Sequence, residues 1–173
     1  MPTNQTTAIP GSVIKQASGA NWTMYCSDCV DTCTSLPEKS IHFSVFSPPF
    51  IGLYIYSDSE RDMGNSANDS EFYEHFGFLI DQLYRVTIPG RLCAVHCKDL
   101  PLYFGRDDAA GLKDFPGEIV RLFTSRKWTF HSRVTIWKCP VIERERTNNN
   151  GLLHKTIIRD RSQSRQGMAD FLL

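Results

Sequence analysis

The sequence has no long apolar run. None of its 173 residues lies in a stretch approaching the roughly 18 consecutive apolar positions that a membrane-spanning helix needs. Its first residues, MPTNQTTAIPGS, lack the charged segment and the apolar core of a signal peptide. Net charge is also missing. Lys plus Arg number 19 and so do Asp plus Glu, so no bulk field draws the chain to nucleic acid. A cysteine framework is absent as well. Without a secretion signal, Cys26, Cys29, Cys33, Cys93, Cys97 and Cys139 belong to a reducing compartment, the cytoplasm. The spacing Cys26-x2-Cys29-x3-Cys33 matches no common zinc pattern. A fourth ligand would have to come from distant Cys93, His96 or Cys97. No metal is expected, and the cysteines read as small buried hydrophobes.

What is present describes an ordinary globular domain, 41% hydrophobic and 22% charged. Residues 1–20 are Thr/Gly/Ser-rich and read as a flexible lead, and residues 21–173 read as the domain proper. The charge is unevenly spread. Between Arg144 and Arg165 stand Arg146, Lys155, Arg159 and Arg161, opposed only by Glu145 and Asp160, so a local basic face is expected there.

The chain alternates strands with amphipathic helices. Residues 22–26 read as a strand and residues 30–36 as a short helix with Ser27 or Asp28 as N-cap. Ile41 to Phe46 alternates as a central strand, which makes the whole unit a right-handed parallel crossover. Residues 57–70 read as a surface loop. Phe72, His75, Phe76, Leu79, Ile80 and Leu83 recur at three- and four-residue spacing and predict a helix over 71–84. Pro89-Gly90 reads as a turn, 91–96 as a buried strand and 100–114 as a second long loop. Pro116 suits the first position of a helix over 117–125. Residues 128–138 alternate as a strand, 147–151 break the pattern, 154–165 are helix or loop, and 167–173 open another strand. The sum is an α/β fold, three-layered with a mostly parallel sheet, whose ligands sit beyond the carboxyl ends of the strands.

One such end is unusual. The strand at 41–46 runs into Ser47-Pro48-Pro49-Phe50. Proline has no N–H for a ladder and forces the residue before it into extended geometry. The Ser47 hydroxyl and the Pro48 carbonyl are thereby free to accept hydrogen bonds from an exocyclic amine on a planar heteroaromatic ring, on which Phe50 can stack. Such acceptors expose the amine lone pair as a nucleophile, which is electrostatic positioning without covalent catalysis. The same four residues also read as a plain strand-ending turn, since Ser and Pro are ordinary turn residues.

The surrounding blocks bear on that choice. Tyr25-Cys26-Ser27-Asp28-Cys29-Val30, Leu36-Pro37-Glu38-Lys39-Ser40-Ile41 and then Ser47-Pro48-Pro49-Phe50 resemble the start of β-class amino-group DNA methyltransferases. Ser59 to Asn65, Gly111 to Phe115, Val134 to Lys138, Gly151 to Lys155 and Ser164 to Gly167 look like DNA methylases often carried by phages and prophages. The resemblance covers roughly residues 24–173. It implies a fold of the S-adenosylmethionine-dependent methyltransferase type, double-stranded DNA as substrate, S-adenosylmethionine as cofactor, and methyl transfer to the exocyclic amine of adenine or cytosine. Ser47, Pro48, Pro49 and Phe50 would bind and activate the base. Asp28, with Cys29 beside it, would approach the adenine ring or the amine of the cofactor; the family's usual Gly stands here as Ser27. The loops at 57–70, with Arg61, and at 105–115, with Lys113, would face DNA. Lys155, Arg159, Arg161 and Arg165 would meet phosphates or form a solvated charged face.

The family's Phe-x-Gly-x-Gly turn, where glycines let the backbone approach the cofactor, is not found: Gly64, Gly77, Gly105, Gly111 and Gly117 stand alone. The family would place it beyond residue 173, and the apolar ending Phe171-Leu172-Leu173 reads as a strand cut within a sheet, an edge for a second copy or a protein partner to cover. Two readings follow: the catalytic-loop portion of a DNA amino-methyltransferase, or a truncated, non-catalytic descendant that binds DNA or a protein.

Overall fold

A computed structural model describes residues 13–51, 55–102, 104–108, 111–139, 142 and 169–173. The chain divides into two compact units, Met1–Phe43 with Ile51–Leu92, and Ser44–Phe50 with Cys93–Leu173.

In the first unit, β1 (Lys15–Ser18) and β2 (Thr23–Cys26) form an antiparallel hairpin, with Lys15 opposite Cys26 and Ser18 opposite Thr23. A strand thus occupies part of the stretch that the composition describes as a loose lead. Helix α1 (Cys29–Ser35) starts at Asp28, whose carboxylate accepts the N–H groups of Val30 and Asp31 at 2.8 and 3.0 Å. Helix α2 (Asp69–Val86) starts with the same chemistry. Asn68 accepts the Glu71 N–H, while the Glu71 carboxylate reaches back to the Ala67 N–H. Its apolar stripe, Phe72, Phe76, Leu79, Ile80, Leu83 and Val86, is buried. At its last turn Arg85 donates to the carbonyls of Cys33, Thr34 and Leu36 at 2.8–3.0 Å. A guanidinium there satisfies orphan carbonyls at the negative end of α1.

In the second unit, β5 (Leu100–Leu102) and β6 (Gly111–Lys113) pair antiparallel, with the single-turn α3 (Phe104–Asp107) between them. The expected loop over 100–114 is therefore a hairpin. Helix α4 (Phe115–Ser125) is capped by Asp114 and buries Phe115, Pro116, Ile119 and Phe123. Val95, Cys97 and Leu100 are also buried in this unit.

Among the described residues the largest sheet is four-stranded, in the order β3 (Ile41–Phe46), β4 (Thr87–Lys98), β8 (Asp170–Leu172), β7 (Val134–Ile136). Both β4 and β7 run antiparallel to β8. For β3 and β4 the bonds advance in one sense, Ser40 N–H to the Val86 carbonyl and further on Ser47 Oγ to the His96 carbonyl, which is the parallel direction. The fold is mixed α/β.

Several expectations change. Among the described residues β3 is an edge strand rather than a central one, with His42, Phe43 and Val45 exposed. β2 pairs with β1 and belongs to a different sheet from β3, so β2–α1–β3 is not a parallel crossover; β3–α2–β4 supplies that unit instead. Among the described residues the sheets are small and mixed, with β1–β2, β4–β8, β5–β6 and β7–β8 antiparallel, where a three-layered, mostly parallel sheet is expected. Pro89-Gly90 does not end a strand, because Gly90 adopts φ +79° and β4 continues through it. The strand expected over 128–138 shrinks to β7. The loop at 57–70 contains a 3-10 turn, Met63–Asn65, and gives way to α2 at Asp69. The stretches 147–151 and 154–165 lie outside the described residues.

Candidate active site

The Ser47-Pro48-Pro49-Phe50 loop leaves the carboxyl end of β3 as extended chain. The exposed Ser47 hydroxyl lies 3.0 Å from the His96 carbonyl. A carbonyl has no proton to give, so the hydroxyl donates and keeps its lone pairs as acceptors. Pro48 is buried and Phe50 half-buried. The Phe50 ring meets Phe115 edge-on, centroids 6.2 Å apart, and Lys98 Nζ lies 5.8 Å from its centroid. No donor reaches the Pro48 carbonyl among the described residues.

Sequence patterns do not single out what stands behind this loop. Asp170 of β8 lies opposite Lys98 and Ile136, which puts it diagonal to His96 on β4 and to Lys138 just past β7. Its Oδ2 accepts from His96 Nε2 at 3.0 Å and from Lys138 Nζ at 2.5 Å. Its Oδ1 is buried and has no hydrogen-bond partner among the described residues. Burial pushes the Asp170 carboxyl up, but the bonds from Lys138 and His96 outweigh it and hold the pKa below the ordinary carboxylate value. The one sequence signal is an Asp set in an apolar run, Ala169-Asp170-Phe171-Leu172. Next to Lys98 in sequence, Asp99 is shifted upward by burial and by the Asp114 charge, against the opposing pull of Arg133. The Cys93 and Cys97 thiols are pushed up to about 12, chiefly by burial, and stay protonated at neutral pH.

The first unit holds Asp28, Cys29 and Arg61. Asp28 uses Oδ1 on its two cap bonds and sets Oδ2 3.1 Å from Arg61 Nε. Arg61 also grips Asp31 bidentately at 2.8 and 3.0 Å. The Asp31 hydrogen bond, with the charges of Asp28 and Asp31, holds the guanidinium more firmly protonated. Expected at DNA phosphates, Arg61 is here committed to two carboxylates. Cys26, Cys29 and Cys139 are exposed, where buried cysteines are expected; partial loss of water around the sulfur, then the charges of Asp28 and Cys33, push the Cys29 thiol up. The loop around Arg61 is stitched by Asp62, which accepts from Gly64 N–H at 2.8 Å, Ser57 Oγ at 3.1 Å and Tyr56 N–H at 3.2 Å. Burial would raise the Asp62 pKa, and these bonds turn the net shift downward.

Lys113 is half-buried on β6, in the second unit. Lys155, Arg159, Arg161 and Arg165 lie outside the described residues. Among the described residues no cluster of three or more His, Cys, Asp or Glu is placed to hold a metal, and no helix is long and apolar enough to cross a membrane.

No protein-family model and no curated protein matches the sequence. Solved structures do match, and they are DNA methyltransferase folds. A Thermus thermophilus protein assigned as a DNA modification methylase superposes with TM-score 0.56 at 15% identity, over 84% of this chain and 50% of its own. The same protein is also known in complex with S-adenosyl-L-methionine, again at TM-score 0.56. The cytosine-N4-specific PvuII DNA methyltransferase matches with TM-score 0.56 at 14% identity, over 87% of this chain and 47% of its own. At such identities the likeness is one of fold, and this chain spans about half the length of those proteins.

Proposed function

We propose that the chain carries the target-base loop of a site-specific DNA methyltransferase, which moves a methyl group from S-adenosylmethionine to the exocyclic amine of adenine or cytosine. The observation that carries this reading is the Ser47 hydroxyl, whose proton is spent on the His96 carbonyl at the end of a strand closed by two prolines. Its oxygen can accept one amine N–H and the Pro48 carbonyl the other. Both draw electron density toward the nitrogen and orient its lone pair. The base must leave the duplex to reach the loop, and the Phe50 ring, braced by Phe115, offers it a stacking surface.

The cofactor supplies an electrophilic methyl group when bound. Asp28 fits a role in holding it: a carboxylate has about four lone-pair sites, and the two cap bonds and Arg61 leave room for one more amine donor. Cys29 neighbours that position. Double-stranded DNA would be met by Lys113, Lys155, Arg159, Arg161 and Arg165, and by Arg61 if it exchanges a carboxylate for a phosphate. The exposed apolar edge at Phe43 and Val45 favours a second reading, a non-catalytic chain that binds DNA or docks a protein or a second copy there.

The test combines a gel shift on duplex DNA at low salt with transfer of labelled methyl from S-adenosylmethionine. Wild type is expected to bind and to transfer. Ser47→Ala should keep binding and fold while transfer falls by about 100-fold or more. Unimpaired transfer by Ser47→Ala refutes the assignment of the loop, and binding without transfer by wild type selects the second reading.

A further inference from the structure

The Ser47 hydroxyl has its acceptor on a residue whose side chain is anchored separately. Val95 and Leu173 exchange both backbone bonds across β4 and β8, each 3.0 Å. In an antiparallel ladder the next pair, His96 and Leu172, then makes no bonds to each other. The His96 carbonyl therefore points away from β8, toward β3, where it meets Ser47 Oγ. The His96 ring is fixed from the other side by the buried carboxylate of Asp170. An ionised carboxylate only accepts, so Nε2 carries the proton. Lys138 on the same Oδ2 keeps that carboxylate in place and charged.

We propose that His96, held by Asp170, is a positioning residue for Ser47: the Asp170 anchor steadies the backbone carbonyl that the ladder aims at Ser47, and so keeps the hydroxyl proton on it and leaves the Ser47 oxygen as an acceptor for an amine. This rests on the base-binding reading of the loop. Neither residue touches the base. Without the anchor the carbonyl is held by the ladder alone, and the hydroxyl more often turns to present its proton to the amine, which is the wrong polarity.

The test uses the whole chain and has two readouts. The first is the 13C shift of Ser47 Cβ in serine-labelled protein, assigned with Ser47→Ala. The second is quenching of a single-stranded oligonucleotide containing 2-aminopurine, whose amine and ring suit Ser47 and Phe50. His96→Leu and Asp170→Asn are expected to move the Ser47 resonance and weaken the probe about three- to tenfold, the weight of one hydrogen bond. His96→Gln, which keeps an N–H for Asp170, should restore both. Added to Ser47→Ala, His96→Leu should weaken the probe no further. Thermal melting identifies any variant that fails to fold, and His96→Gln serves as the folded control. An unmoved Ser47 resonance in His96→Leu, or full additivity with Ser47→Ala, overturns the inference and leaves the base-binding reading standing. Equal quenching by wild type, Ser47→Ala and Phe50→Ala overturns the base-binding reading, while the Ser47 resonance still decides the role of His96.

Discussion

Asp28 and Asp170 are both tied down, by different means. Asp28 is bound within its own turn, to N–H groups two and three residues on, and then to Arg61. An N-cap of this kind is worth about 1 kcal/mol. Asp28→Ala is expected to lower stability by about that amount, a melting shift of about 2–4 °C for a chain of this size, read by calorimetry or circular dichroism. Asp170 is bound across the sheet, 74 residues from His96. Its pKa is lower folded than in an ordinary carboxylate, so its contribution is present above the unfolded value and is lost as pH falls through the folded one. Urea midpoints measured between pH 7 and pH 2 should fall steeply below about pH 4 in wild type. Asp170→Asn should flatten that fall and be less stable at pH 7, because Lys138 keeps a half-buried charge without its partner. The Asp28 cap is legible in sequence because its partners are adjacent; the Asp170 cluster is not, because three strands must assemble first.

Helix α2 is readable at the scale of elements, since its apolar stripe and its Asn68–Glu71 cap are local patterns. Predicted over 71–84, it runs Asp69–Val86. Strands are harder to place. The Pro89-Gly90 pair carries the composition of a turn, yet β4 passes through it with Gly90 at φ +79°. Space is open around Gly90, so a methyl group there meets nothing, and the cost of Gly90→Ala is the backbone strain alone. The expected loss is about 1–2 kcal/mol, measured by chemical denaturation; an unchanged midpoint would mean that β4 does not need this conformation. Likewise 100–114 has loop composition, but β5 and β6 pair there, with Leu100 opposite Lys113 and Leu102 opposite Gly111.

The whole molecule combines zero net charge, pI near 6.9, with apolar residues exposed at both ends of its largest sheet. Phe43 and Val45 are 55% and 63% exposed on β3; Val134 and Trp137, on and just past β7, are 54% and 80% exposed. Little repulsion opposes edge-to-edge contact at neutral pH. Light scattering is expected to peak near pH 7 and to fall on either side. Val45→Lys should reduce it while changing stability by less than about 0.5 kcal/mol.

Neighbours along the chain are enough to set the Asp28 cap, the α2 stripe, the stop at Pro48-Pro49 and the resemblance of the loop to a base-binding one. Each rests on bonds or sterics within a few residues, and so each can be read from the order of amino acids. Assembly in three dimensions was needed to put β3 at an edge, to pair Arg61 with Asp28 and Asp31, and to send the Ser47 proton to His96. Those facts depend on which strands become neighbours, and the hydrogen bonds and ion pairs that settle it join residues far apart in the chain.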